Sequence, residues 1–330
     1  MTTVYHAVSQ TDGPAMTLTD LPSSDFADPA PKPVVAEVDG IPVSGLLAEV
    51  AAPRAVLVAL HGGATSAAYF DCPGHPELSL LRMARRLGFS VLALDRPGYG
   101  SSGPFADELA PPHRRVDLMF GAIERHLGTR PRGVGVFLLA HSAGCELALR
   151  MAADPRGADL LGVELAGTGR LHPPLAQEVL WGGQDEPEWV PRGVGALLWH
   201  PPRLYAPEIL GGATIGAVGP RLEADTVRDW ATDEFPDLAG RVRIPVRYCV
   251  GDHERIWRND PEELAAVGAL FTAAPRVVLK LQTDTGHNIS VGRTATAYHL
   301  GLLAFAEECA IAAEADDFTA PALRFDGFGA

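Results

Sequence analysis

The sequence predicts an α/β fold, a mostly parallel sheet flanked by helices, and three observations predict it. Short, mainly apolar runs at 54–60, 90–94, 134–139, 159–165, 244–250 and 277–282 have strand length, and 134–139 is apolar apart from Gly135, as suits a strand buried on both faces. Between such runs apolar residues recur at helical spacing, as at Leu78, Leu81, Ala84 and Leu87. Strands that alternate with helices in this way return in the same direction and lie parallel.

Composition narrows the class. The 330 residues, 47% of them hydrophobic, can bury a large core as one unit with an inserted cap. Forty-one acidic against 27 basic residues give a formal charge of −14, which opposes non-specific binding to nucleic acid or to an anionic membrane. Cys72, Cys145, Cys249 and Cys309 are widely spaced, without a C-x-x-C pair, and read as reduced thiols. The first residues carry no basic-plus-apolar leader, and no uncharged apolar run reaches the ~18 residues of a membrane span, so a soluble cytoplasmic protein is expected.

In chain order, residues 1–32 are rich in Thr, Ser, Asp and Pro and read as a loosely held arm. Strands are expected at 34–38 and 43–50, joined by the tight turn Asp39-Gly40 as an antiparallel edge pair. The strand at 54–60 ends at His61-Gly62-Gly63-Ala64-Thr65-Ser66, where glycines permit a tight turn and leave N–H groups without a strand partner. A helix over 76–87 stops at Gly88, and the strand at 90–94 runs into Asp95-Arg96-Pro97-Gly98-Tyr99-Gly100-Ser101-Ser102, in which Asp95 suits a turn acceptor of N–H bonds. A helix over 116–127 precedes the strand at 134–139.

There the period changes. From Gly144, Leu147, Ala148 and Met151 fall at helical spacing, so Ser142 lies at an abrupt strand-to-helix bend, with small Ala140 and Gly144 on either side. The helix start directs free N–H groups and a positive dipole end at whatever the serine oxygen attacks. After the strand at 159–165 the segment 166–240 holds Trp181, Trp189, Trp199 and Trp230, four of the five tryptophans, with proline pairs that break short helices. Rings so concentrated beside a strand end suggest a cap over an apolar pocket, and equally serve a small satellite core. The strand at 244–250 ends in Gly251-Asp252-His253-Glu254-Arg255, and Asn259-Asp260-Pro261 opens a helix. The strand at 277–282 leads to Asp284-Thr285-Gly286-His287-Asn288, a helix follows over 293–312, and 314–330 is a peripheral tail.

Ala140-His141-Ser142-Ala143-Gly144 resembles the nucleophile elbow of the α/β-hydrolase family, G-x-S-x-G, departing from it by alanine at the first position, and Asp95 to Ser102 resembles the family's D-x-P-G-x-G-x-S turn. The resemblance spans about Val34 to Ala312 and implies an eight-stranded sheet with a core of 33–165 and 241–313 and a cap, 166–240, inserted after the sixth strand. It implies Ser142 as nucleophile, His287 as the histidine and, on the G-x-x-D register, Glu254 as the acid, with Asp252 the competing acid. It implies backbone donors to an oxyanion at Gly63 and Ala143. A serine needs its proton taken by the imidazole, and the ring needs a carboxylate to hold its tautomer; this chemistry requires neither metal nor organic cofactor. The serine is unlike the aspartate nucleophile of the dehalogenase and epoxide-hydrolase branches. Expected is an esterase or thioesterase acting on a small, apolar acyl substrate through an acyl-serine. The alternatives are an acyltransferase or cyclase using the same residues, and a silent ligand-binding member of the fold.

Overall fold

The computed structural model describes residues 29–181, 193–220, 223 and 230–315. Of the expected features, residues 1–28 of the arm, Trp189 in the cap and residues 316–330 of the tail lie outside the described residues.

The chain forms one eight-stranded sheet in the order β1-β2-β4-β3-β5-β6-β7-β8. The edge pair β1 (Lys32–Val38) and β2 (Ile41–Ala48) is antiparallel, and β2 also meets β4 (Ser90–Leu94) antiparallel. Asp39 (φ 50°) and Gly40 (φ 83°) form the two-residue turn between them, both in the left-handed region that such hairpins demand. All other neighbours are parallel: β4 with β3 (Val56–Leu60), β3 with β5 (Val136–His141), then β6 (Leu160–Ala166), β7 (Val246–Gly251) and β8 (Val277–Gln282).

Alternation along the strands divides the core into two layers. Val58, Leu92, Leu138 and Val163 face α2 (Pro112–Leu127), α3 (Gly144–Ala153) and the later α6 (Phe235–Arg241). Leu57, Val91, Phe137 and Leu161 face α1 (Leu80–Arg86) and the closing helix α8 (Ala295–Glu314). Because helices cover both faces, the central strands carry no polar alternation.

Two helices differ from expectation. The helix expected over 76–87 is broken at Ser79, whose extended backbone (ψ 112°) ends a 3₁₀ turn at 76–78; its Oγ accepts from Arg82 N (3.1 Å) to cap α1 and donates to Asp71 (2.6 Å). The helix expected from Val116 begins earlier, because Pro112 in the first turn needs no N–H partner. Between β6 and β7 lie α4 (Pro174–Trp181), α5 (Val194–Leu198), 3₁₀ turns at 202–204 and 210–212, and α6, the last of which buries Phe235 and Leu238 against the core. After β7, α7 (Pro261–Leu270) is capped by Asp260, whose carboxylate accepts from Glu263 N (3.0 Å). Among the described residues no helix is long and apolar enough to cross a membrane.

Candidate active site

At the C-terminal end of β5 the chain bends at Ser142, a non-glycine residue in the left-handed region (φ 52°). Such a conformation costs on the order of 1–3 kcal/mol and persists only where surroundings over-determine it. Here they do: Ser142 N donates to Ala166 O on β6 (2.8 Å), and Cys145 N donates back to Ser142 O (2.9 Å). Gly144 permits the approach of α3 to β3, since a Cβ at this position would stand 2.5 Å from His61 O and 2.6 Å from Leu60 O.

Three side chains from three strand ends meet in one hydrogen-bonded line. Ser142 Oγ lies 2.9 Å from His287 Nε2, and His287 Nδ1 lies 2.9 and 3.1 Å from the two carboxylate oxygens of Glu254. A carboxylate accepts, so Nδ1 carries the proton, and Nε2 keeps the lone pair that receives the serine O–H. Glu254 Oε1 also accepts from the backbone N–H of Arg255 (2.9 Å) and Ile256 (2.7 Å). Burial works to raise the Glu254 carboxyl, but the facing His287 and these donors outweigh it and hold the group below the ordinary carboxylate value.

Asp252 does not reach the imidazole. Its two oxygens accept from Asp284 N and Thr285 N, each at 2.9 Å, so it braces the loop that carries His287. Asp95 likewise accepts from outside its own turn, from Ala67 N (2.8 Å) and Ser44 Oγ (2.6 Å), and joins that turn to the glycine loop and to β2.

Gly63 and Ala143 both line the cavity in front of Ser142, and among the described residues neither backbone N–H finds an acceptor. The cavity measures about 380 Å³, within the range of small-molecule sites. Its wall is largely aromatic and aliphatic, with Leu180, Trp181, Leu198, Trp199 and Trp230 from the segment after β6 and Trp257 from the loop after β7. Trp230 stacks on Phe235 (centroids 5.0 Å apart), so one ring serves both cavity and core. Among the described residues no group of three or more His, Cys, Asp or Glu side chains is arranged to hold a metal ion, and all four cysteines are buried and unpaired.

Several residues at the site carry no sequence signal of their role. His141 stands inside the elbow and at the cavity wall, yet its ring bonds the His287 backbone (2.9 Å) and stacks on Tyr69 (centroids 4.5 Å). Trp257 is the one tryptophan outside the 166–240 segment, and Glu223 reaches the cavity from a stretch without a motif.

A family model described as "Alpha/beta hydrolase family" matches residues 56–297. A comparison with curated proteins gives no match. Among solved structures the chain is similar to a thermostable carboxyl esterase from Bacillus coagulans (18% identity, TM-score 0.59, covering 85% of this chain and 99% of that one). It is also similar to a monoglyceride lipase from Saccharomyces cerevisiae (14%, TM-score 0.61, 87% and 97%) and to an epoxide hydrolase from Vigna radiata (16%, TM-score 0.56, 84% and 99%). At these identities the likeness is one of fold, which ester-cleaving and epoxide-opening enzymes share.

Proposed function

Because the chain belongs to the alpha/beta hydrolase family, we propose that it is a serine hydrolase that cleaves an ester or thioester through an acyl-serine intermediate. The observation that carries this reading is the continuous line Ser142 Oγ to His287 Nε2 to Glu254, at 2.9 Å for each link. An aspartate nucleophile, as an epoxide-opening enzyme would use, has no counterpart at the elbow, where Ser142 stands.

In this reading Ser142 Oγ attacks the carbonyl carbon as its proton passes to His287 Nε2. Glu254, kept ionised by Arg255 and Ile256 N–H, stabilises the resulting imidazolium and holds the ring in its tautomer. The negative charge gathers on the former carbonyl oxygen, where Gly63 and Ala143 N–H bind it; a donor of this kind contributes roughly 2.7–4 kcal/mol. Collapse breaks the bond to the alkoxide or thiolate, which leaves with the proton from His287. Water then enters by the same route, and deacylation returns the acid and free Ser142.

The apolar walls support a small substrate with an apolar acyl or alcohol part, for which each methylene is worth roughly 1–3 kcal/mol of discrimination. Residues 166–240 act as the cap over a core of 33–165 and 241–313. Four buried thiols without a disulfide suit a reducing compartment, and the reading places the enzyme in the cytoplasm.

The test is labelling with a fluorophosphonate followed by a panel of ester, thioester and amide substrates of graded acyl length. Modification of Ser142 that disappears in Ser142→Ala is expected; a folded wild type that stays unlabelled overturns the reading.

A further inference from the structure

The Gly62–Gly63 peptide is held by its carbonyl. Three donors converge on Gly62 O: His61 Nδ1 (2.8 Å), Thr65 Oγ1 (3.0 Å) and Arg96 Nη2 (3.0 Å). The first is set by Arg96 as well. Its backbone N–H donates to His61 Nε2 (3.0 Å), so the imidazole proton resides on Nδ1 and points at Gly62 O. The peptide is trans, and in a planar trans peptide the C=O and N–H point in opposite directions. Fixing the carbonyl therefore fixes the Gly63 N–H on the opposite side, where Gly63 lines the cavity beside Ser142 and Ala143.

Arg96 does more than orient. A cation on an amide oxygen draws electron density along the peptide and makes the N–H at its other end a stronger donor. The same Nη2 nitrogen has a second hydrogen, and it goes to Glu223 Oε2 at 2.9 Å, on the cavity wall. That oxygen also accepts from Tyr99 OH (2.6 Å), while Tyr99 OH accepts from Ala64 N (3.0 Å), so the turn after β4 grips the glycine loop at Gly62 and again at Ala64, on either side of Gly63. The guanidinium is almost wholly buried, with 8% of its side chain exposed, so its field is poorly screened.

We infer that Arg96 is a positioning residue for the reaction: through the Gly62 carbonyl it aims and polarises the Gly63 N–H as an oxyanion donor, and through Glu223 it ties that donor to the cap. The inference rests on the serine-hydrolase reading. Under it the turn at 95–102 has two functions, with Asp95 joining loops and Arg96 acting on the transition state through one peptide.

The experiment compares an alkyl trifluoromethyl ketone, which adds to the serine and develops an oxyanion, with the corresponding alkyl methyl ketone, which binds without one. In Arg96→Met the affinity for the trifluoromethyl ketone and kcat should both fall roughly 10- to 100-fold, the worth of a charge-assisted bond. Affinity for the methyl ketone, and KM, should change less than about threefold, since uniform binding is untouched. Arg96→Lys should recover part of the loss, and Thr65→Val, which removes a neutral donor from Gly62 O, should lose about threefold to tenfold on the trifluoromethyl ketone alone. Parallel losses on both ketones, or no loss in a folded Arg96→Met, overturn the inference. Should Arg96→Met not fold, Thr65→Val decides: an unchanged trifluoromethyl ketone affinity there overturns it. A wild type that a fluorophosphonate does not label removes the serine-hydrolase reading itself, whereas a labelled wild type with parallel losses removes the role of Arg96 only.

Discussion

His141 Nε2 lies 2.9 Å from the backbone carbonyl of His287. The acceptor is a carbonyl, so the imidazole donates, and the residue before the proposed nucleophile holds the loop of the proposed base from a position 146 residues away in sequence. Tyr69 completes the bracket: its ring stacks on His141 at an interplanar angle of 15°, and its OH accepts from Ser290 N (3.2 Å). Burial first, and then the nearby His287, push His141 well below the ordinary histidine value, so it stays a neutral donor.

Replacing that donor while keeping the stack isolates its contribution. His141→Phe is expected to lower kcat about tenfold with KM little changed, because a misplaced base weakens the chemical step more than binding. Steady-state kinetics on a short-chain ester check this; equal kcat in mutant and wild type would remove the positioning role.

The two acids should separate sharply. Glu254→Gln leaves the shape of the site but offers the imidazole an amide, and turnover should fall by about four orders of magnitude, as for triad acids elsewhere. Asp252→Asn should cost stability instead, on the order of 1–3 kcal/mol, since it weakens the bonds to Asp284 and Thr285 N–H. Paired kinetics and thermal melts on both variants distinguish these outcomes.

Gly144 admits no side chain. In Gly144→Ala the new methyl meets the carbonyl oxygens of Leu60 and His61, so α3 or β3 must shift, at about 1–3 kcal/mol. A lowered melting temperature together with slower fluorophosphonate labelling is the expected result, because the same shift disturbs Ser142 and the glycine loop.

Stability should weaken as the pH falls below about 6.5, the ordinary histidine value. His299 is buried on α8, among the described residues neither ring nitrogen has a partner, and burial pushes it down to about 3. Between these values the unfolded chain binds a proton there that the native chain refuses, so stability rises with pH by about 1.4 kcal/mol per unit for this group alone. His61 and His141, also lowered by burial, act with the same sign. Glu254 adds to them at lower pH: its stabilisation is complete above the ordinary carboxylate value and is lost as the pH falls through its lowered folded value. Denaturant melts from pH 7 to 4 should show a slope reduced by about one proton in His299→Leu.

The elbow is legible because one contiguous stretch holds all of it: an apolar strand, a serine, and helical spacing that starts at Gly144. Asp39-Gly40 is legible for the same reason, since the left-handed turn is a local demand met by local residues. The break at Ser79 is not, because Leu78 and Leu81 continue a helical pattern across it while the capping bond depends on Asp71, eight residues away. Trp257 escapes notice because nothing near it in sequence reports that the loop after β7 folds back on the cavity.

By itself the sequence determined the succession of strands and helices along the chain, the bend that presents Ser142 and the glycine turn beside it, because backbone preference and the spacing of apolar residues act within a few positions. Only the tertiary structure decided that Glu254 rather than Asp252 meets His287, that His141 holds the backbone carbonyl of His287, and that Arg96 grips Gly62. Those pairings join loops at the ends of parallel strands that are far apart in the chain. Which side chain meets which depends on strand order and register, quantities that exist only once the sheet has formed.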